Sequence, residues 1–302
     1  MQLVGDIGGT QARFALAEGG VIRPGSQLVL AGADFAGLDD ALLHYLEAQG
    51  RPRVAAVCLA VAGPVTRGQA RLTNRDWSMT ESGLRMLTGA GRAWLVNDML
   101  ALGAGAEGAR LTRLRAGQAS GGQSLVVNAG TGFNICPVLR AGGGLACLEA
   151  EAGHAALPAP VAAELAAVLG ARAGAFRTNE DLFSGQGIAR LWQAMHGTPG
   201  PEPAEIARAG TPQARALMDL ATRLFGRLLR ELALQHMPRA GIYLAGSAAA
   251  ALAAHDREAL LAAFLSVPEF AAIPEAMPLA VIADGAAALQ GCANLLQARK
   301  DW

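Results

Sequence analysis

The chain has 302 residues, with 25 Lys plus Arg against 25 Asp plus Glu and a formal net charge of zero. Hydrophobic residues make up 52% and charged residues 17%, which excludes a disordered chain and describes a globular protein of about two domains. With no basic block there is no electrostatic footprint for nucleic acid, so an anionic ligand has to be held by local geometry. Cys58, Cys136, Cys147 and Cys292 form no CxxC pair and read as buried small hydrophobes in a reducing compartment. The longest weakly polar run starts at Gly241 and is too short for a membrane span of about 20 residues. No basic segment followed by an apolar one opens the chain, so a cytoplasmic location without a membrane partner is expected.

In chain order, alternating apolar patterns predict strands near 2–7, 12–17, 26–30, 53–61, 68–73 and 92–96, and helices over 37–49 and 79–88. The second helix is preceded by Ser78-Met-Thr-Glu81, a capping-box spacing. A glycine-weakened helix follows Asp98. Further strands are expected near 123–128, 133–140 and 144–149, then helices near 159–170, 186–196 and 212–236. Thr211-Pro212 is a start signal for the last of these, with a capping residue before proline at the first helical position. "TPGPEP" (198–203) reads as a loop. A strand at 241–246, a helix near 256–266, a strand at 279–284 and a closing helix complete the chain. Three strands joined by tight turns and followed by alternating helices and strands occur once before residue 110 and again after residue 122. That order predicts two α/β lobes, 1–109 with the C-terminal helix (about 286–302) and 110–285, with a ligand cleft between them.

Each half contains a glycine-rich turn after a strand. In "DIGGT" (6–10), glycines bare the backbone so that successive N–H groups can face one anion. The Thr10 hydroxyl adds a donor, and the Asp6 carboxylate suits a hydrated Mg2+. The bland alternative is a hairpin turn whose aspartate only accepts backbone hydrogen bonds. "AGTG" (129–132) and "LAGS" (244–247) are two more close-approach turns. In "VNDM" (96–99), Asp98 stands between a strand and a helix, where an aspartate serves either as a helix cap or as a base toward a hydroxyl. "EAEAGH" and "TNEDLF" add Glu151, His154 and Glu180, donors and acceptors of the kind sugar hydroxyls need. Trp77 in "LTNRDW" reads as a packing anchor, and Asn74 as a cleft residue.

The motifs "LVGDIGGTQARFAL", "CLAVAGPV", "LTNRDW", "WLVNDMLAL", "NAGTGF", "EAGH", "EDLFSGQGIARLW" and "GIYLAGS" follow one another as in the bacterial glucokinases of the ATP-dependent hexokinase type, which the chain resembles over nearly its whole length. The resemblance implies a two-lobed actin/hexokinase-like (ribonuclease H-like) α/β fold with a duplicated βββαβαβα core. It implies transfer of the γ-phosphate of Mg-ATP to the 6-hydroxyl of glucose, or of a related hexose, in a homodimeric enzyme. A sugar sensor without turnover is the alternative from another class. By resemblance Asp98 is the general base, and Asn97, Glu151, His154, Glu180 and Asn74 surround the sugar. Asp6, Gly8, Gly9 and Thr10 grip the terminal phosphates, with Asp6 reaching Mg2+ through water. Gly130, Thr131 and Gly132 close on the phosphates, and Gly246 and Ser247 line the adenosine pocket. The chain departs from the family at Asn128 and Asn134, where glycine is usual, at Ser247 in place of the second glycine of Ala-Gly-Gly, and at Gln11. The expected effect is a narrowed nucleotide pocket or a changed preference among phosphoryl donors. "EAGHAALPAPVAAEL" contains no cysteine, which excludes the zinc cluster that a neighbouring sugar-kinase family has after this motif.

Overall fold

The structure, a computed structural model, describes residues 1–72, 75–266, 270–283 and 285–298. Asn74 lies outside them. The chain forms two compact units. Unit one comprises Met1–Arg110, Arg140–Cys147 and Asp284–Trp302, and unit two comprises Leu111–Leu139 and Leu148–Ala283.

Unit one opens with β1 (Gln2–Ile7), β2 (Gln11–Glu18), β3 (Val21–Ile22) and β4 (Leu28–Ala31), followed by α1 (Leu38–Ala48) and β5 (Ala56–Val61). A small antiparallel sheet of β6 (Val65–Thr66), β7 (Gln69–Arg71) and β8 (Ser78–Thr80) leads into α2 (Glu81–Thr88), β9 (Arg92–Asn97) and α3 (Asp98–Gly105). The main sheet runs β3-β2-β1-β5-β9, with β1, β5 and β9 parallel. All six residues of β5 are buried, the mark of a strand covered on both faces. Leu3, Val57, Leu59 and Val61 pack on one side with Phe14, Leu42 and Tyr45. Val4, Cys58 and Ala60 face the other side with Ala101, Leu289 and Cys292. The alternation is the period of two that a strand imposes.

Unit two contains β10 (Leu111–Arg115), β11 (Gln123–Ala129) and most of β12 (Phe133–Ala141), while β13 (Gly144–Cys147) belongs to unit one. Then come α4 (Ala159–Leu169), α5 (Asn179–Phe183), α6 (Gly185–His196), α7 (Pro203–Arg208) and α8 (Pro212–His236). The unit ends with β14 (Gly241–Ala245), α9 (Ser247–His255), α10 (Arg257–Phe264), α11 (Ala272–Ala276) and β15 (Leu279–Ile282). Its sheet runs β10-β15-β14-β11-β12. The run β12-β11-β14-β15 repeats β2-β1-β5-β9: an antiparallel hairpin beside two parallel strands. Leu217, Leu224, Phe225 and Leu228 of α8 are buried in the core of this unit.

The predicted strands and long helices are present, α8 with the predicted boundaries and a Thr211 hydroxyl accepting from Ala214 N at 3.2 Å. Ser78 does not cap α2. It lies in β8, and Thr80 is the cap, accepting from Gly83 N at 3.0 Å, while the Glu81 carboxylate accepts from Leu95 N at 3.1 Å. The last residue of "TPGPEP", Pro203, opens α7 instead of closing a loop, because proline is favoured at the first helical position. α9 was not foreseen, since "SAAAALAAH" carries no apolar period. Cys147 is only partly buried, unlike the other three cysteines.

The glycines that weaken α3 have a packing purpose. A Cβ on Gly105 would stand 1.8 Å from Ala287 O, and one on Gly291 would stand 1.7 Å from Ala101 O. Gly291 lies on the C-terminal helix, Ala287–Ala298, so the two backbones touch where they cross, and Asn294 Nδ2 donates to Ala104 O at 2.8 Å beside the crossing. Overpacking of this kind costs about 1–3 kcal/mol. Gly291→Ala is therefore expected to lower the unfolding free energy by that amount and to move the urea midpoint down, and a midpoint equal to the parent's would show that the helices can separate without penalty.

Candidate active site

In unit one the pairing register lines up Ile7 with Val61 and Val61 with Asn97. The three parallel strands therefore end side by side. Adjacent strands are about 4.8 Å apart, so the ends of β1 and β9 are separated by about 10 Å. Carboxyl ends of parallel strands are where open α/β sheets bind ligands.

After β1, Gly8 N donates to Gln11 O at 2.9 Å and Gly32 N donates to Thr10 O at 2.8 Å. This fixes a tight turn whose Thr10 side chain is exposed. Asp6 lies in β1 opposite Arg13, with Nη1 to Oδ2 at 3.4 Å. Burial raises the Asp6 carboxyl above its ordinary value of 3.8, and Arg13 offsets part of that rise. One residue near this turn escaped sequence reasoning. Arg75 Nε donates to Gly9 O at 3.1 Å, its Nη1 donates to Gly32 O at 2.6 Å, and its guanidinium lies 5.3 Å from the centroid of the buried Trp77 ring. A cation thus backs the phosphate-type turn. The available signal was an arginine two residues before a tryptophan, which is too common to stand out.

Asn97 is the N-cap of α3. Its Oδ1 accepts from Met99 N at 2.9 Å and its Nδ2 donates to Gly63 O at 3.2 Å. Asp98 follows at the first helical position, with Oδ1 also accepting from Met99 N at 2.9 Å. The capping position is therefore already occupied by a residue other than the aspartate.

In unit two, β11 and β14 end together, with Asn128 opposite Ala245. Gly130 N donates to Gly132 O at 2.9 Å, and Gly185 N donates to Gly130 O at 2.7 Å. Gly246 has φ +88°, and a Cβ on it would lie 2.3 Å from Ala129 O and 2.6 Å from Asn128 Oδ1. The two glycine turns are thus in backbone contact. Thr131 is exposed at the tip of the first, and Ser247 begins α9, whose N-terminus has no side-chain cap, leaving backbone N–H groups for an anion. Ser247 also lines a cavity of about 240 Å³ with Gly185, Ile188, Met218, Ala248 and Leu252. Its largely apolar wall suits a flat aromatic base.

Asn128 needs no positive φ: it is an ordinary β11 residue, paired across the hairpin with Asn134. The Asn134 side chain is bonded to the segment 150–152. Glu180 sits against the turn, with Oε2 accepting from Phe133 N at 3.0 Å. A Cβ on Gly132 would stand 2.8 Å from that same oxygen. Glu151 and His154 are exposed on a short turn in which His154 N donates to Glu151 O at 3.2 Å.

The raised Asp6 carboxyl gives a stability test. Above pH 3.8 the folded state retains a proton that the unfolded chain has lost, so the contribution of Asp6 to stability falls as pH rises through its folded value. Asp6→Asn has no charge to desolvate. Its melting temperature minus the parent's, measured without ligands, is expected to increase between pH 4 and pH 7. A difference that stays flat or shrinks would mean that the Arg13 pairing outweighs burial.

A family model described as Glucokinase matches residues 3–299. A glucokinase of Aromatoleum aromaticum is 34% identical over 268 residues, covering 81% of this chain and 78% of that one. A glucokinase of Saccharophagus degradans is 30% identical over 261 residues, 81% of each chain. The crystal structure of a glucokinase from an Antarctic psychrotroph superposes with a TM-score of 0.85 at 27% identity over 98% of both chains. The duplicated strand order is that of the actin-like, hexokinase-type fold. Among the described residues no helix is long and apolar enough to cross a membrane. From fold, motifs and relatives together, the chain belongs to the glucokinase family of sugar-phosphorylating enzymes.

Proposed function

We propose that the chain transfers the γ-phosphoryl group of ATP to the 6-hydroxyl of glucose with Asp98 as general base. The observation that carries this reading is the strand register of unit one. It sets a carboxylate at the end of β9, two strands from the glycine turn after β1, while Asn97 serves as the helix cap. A sugar hydroxyl is a poor nucleophile, and a carboxylate that accepts its proton typically contributes about two to four orders of magnitude in rate.

Each unit supplies part of the binding set. In unit one, Gly8 closes the turn through its bond to Gln11 O, and Gly9 and Thr10 present N–H and hydroxyl donors to the terminal phosphates, backed by Arg75. Asn97 keeps one amide hydrogen and one lone pair beyond its two hydrogen bonds, and these suit a ring hydroxyl. In unit two, Gly130, Thr131 and Gly132 face the phosphates. The base of ATP occupies the cavity beside Ser247, and Glu151, His154 and Glu180 hydrogen-bond the sugar. Among the described residues no group of three or more His, Cys, Asp or Glu is arranged to hold a metal ion. Asp6, at the end of β1, is the carboxylate that would hold a hydrated Mg2+ brought with the nucleotide. Magnesium so bound supplies neutralisation of phosphate charge.

Asp98→Ala is expected to lower kcat by about two to four orders of magnitude while glucose affinity, read by calorimetry, stays within a few-fold. Turnover near the parent rate would remove Asp98 from the reaction. Arg75→Ala is expected to raise KM for ATP about ten-fold with a smaller change for glucose, the scale of a lost charge-assisted hydrogen bond. Equal changes in both constants would mean that Arg75 supports the fold generally and not the phosphate turn. A panel of hexoses in a coupled ADP assay tests the sugar. A faster substrate than glucose would favour a kinase for another hexose, and sugar-dependent thermal stabilisation without ADP release would favour a sensor.

A further inference from the structure

The turn that carries Glu151 is held by two asparagine side chains that neither the motifs nor the reaction required. Asn134 is the second residue of β12, just past the glycine turn. Its Oδ1 accepts from Ala152 N at 3.0 Å and from Ile135 N at 2.8 Å. Its Nδ2 donates to Ala150 O at 2.7 Å and approaches Glu151 Oε2 at 3.4 Å. At the next peptide along, Asn179 is only 4% exposed, and its Nδ2 donates to Ala152 O at 2.8 Å. Glu180 N donates to Gly153 O at 2.9 Å. The residues before and after Glu151 are therefore fixed to Asn134, and the Asn134 amide also points a hydrogen at the carboxylate.

We propose that Asn134 is a positioning residue for sugar binding, holding the Glu151 carboxylate in the orientation that meets the sugar hydroxyls; this rests on the reading that Glu151 binds the sugar. Glu151 is exposed on a turn outside any helix or strand, so its side chain starts with nearly full rotamer freedom. A binding group that must be ordered by its ligand gives up affinity in the ordering, and one held beforehand does not. Asparagine is suited to the task because it can accept from the Ala152 N–H and donate to the Ala150 carbonyl at once. Glycine at 134 could do neither. Asparagine at this position therefore links the phosphate turn to the sugar-binding turn within one unit. Asn179 holds the following peptide through Ala152 O, whereas the amide directed at the Glu151 carboxylate is that of Asn134.

The test is steady-state kinetics on Asn134→Ala, Asn134→Asp, Glu151→Gln and the double variant Asn134→Ala/Glu151→Gln, with melting temperatures measured alongside. Asn134→Ala is expected to raise KM for glucose about ten-fold, the scale of one hydrogen bond to a charged group, and to leave KM for ATP within two-fold. Asn134→Asp keeps the size and the acceptor of asparagine, but loses the donor and sets a second negative charge beside Glu151. It is expected to impair glucose binding at least as much as alanine, and to melt below the parent because a carboxylate oxygen would then face the Ala150 carbonyl. In the Glu151→Gln background, Asn134→Ala is expected to add less than two-fold, because its effect passes through the acid. If Glu151→Gln raises KM for glucose but both Asn134 variants match the parent, the role of Asn134 is overturned and the sugar reading stands. If Glu151→Gln itself leaves KM for glucose unchanged, the sugar reading of Glu151 falls and this inference falls with it. An Asn134→Ala variant that raises KM for ATP as much as KM for glucose would overturn the proposal in favour of a role at the phosphate turn.

Discussion

The pairing of Ile7 with Val61 and of Val61 with Asn97 is the constraint on which the chemistry of unit one depends. A shift of one residue in either pairing would turn every side chain of a strand to the opposite face. It would also separate the end of β1 from the end of β9. The register is secured because both faces of β5 are buried, so neither face can be exchanged for solvent. Gly5 secures it further. A Cβ there would meet Leu59 Cδ2 at 2.6 Å and Phe14 Cδ1 at 3.0 Å, so the large side chains of the neighbouring strands fill the space above this glycine. A bare position in β1 is matched to bulky ones in β2 and β5, and that match holds at one alignment.

Unit two repeats the topology and adds a tighter backbone approach. In unit one the turn after β1 is held by backbone bonds from Gly8 to Gln11 O and from Gly32 to Thr10 O and by the Arg75 guanidinium. In unit two the turns after β11 and β14 touch directly, because Gly246 adopts φ +88° and leaves no room for a Cβ beside Ala129 O. Ser247 is tolerated one residue later because it is already helical and its backbone is not in the left-handed region. The departures at Asn128 and Ser247 are thus compatible with the geometry that the turns need. Asn134 has gained contacts to residues 150–152 that glycine could not make.

Much of this was legible in the chain because the decisive features are local. Strand alternation, the Thr211-Pro212 start of α8 and the glycines of "DIGGT" and "AGTG" each act within a few residues, so a window of sequence contains their cause. Where the reading failed, the cause lay elsewhere in the chain. Ser78 was a plausible cap until β8 claimed it for pairing with Arg71. α9 forms from an alanine-rich run that carries no periodic signal. Arg75 acquires its role only because Gly9 and Gly32, distant in sequence, present carbonyls to it. Asn134 looked like an obstruction because its partners lie 16 to 18 residues away. In the site as in the fold, spacing revealed which backbone turns exist, and only the assembled unit revealed which side chains hold them in place.

The position of Asp98 follows from the same logic at longer range. In a loose phosphoryl-transfer transition state the attacking oxygen carries little developed charge, so a base contributes more by where it stands than by how strongly it draws the proton. The strand end sets where α3 begins, and Asn97 sets how it begins. The direction in which α3 then runs is set by Gly105 and Gly291, whose missing side chains let it lie directly against the C-terminal helix. That helix is anchored in the sheet core through Leu289, Cys292 and Leu296, and the Cys292 thiol donates to Gly5 O of β1 at 3.5 Å. The strand that ends in the first glycine turn and the helix that begins with Asp98 are therefore fastened to one common element. A side chain at either glycine would tilt α3 about that anchor and carry Asp98 with it, so two residues remote from any ligand control where the carboxylate stands.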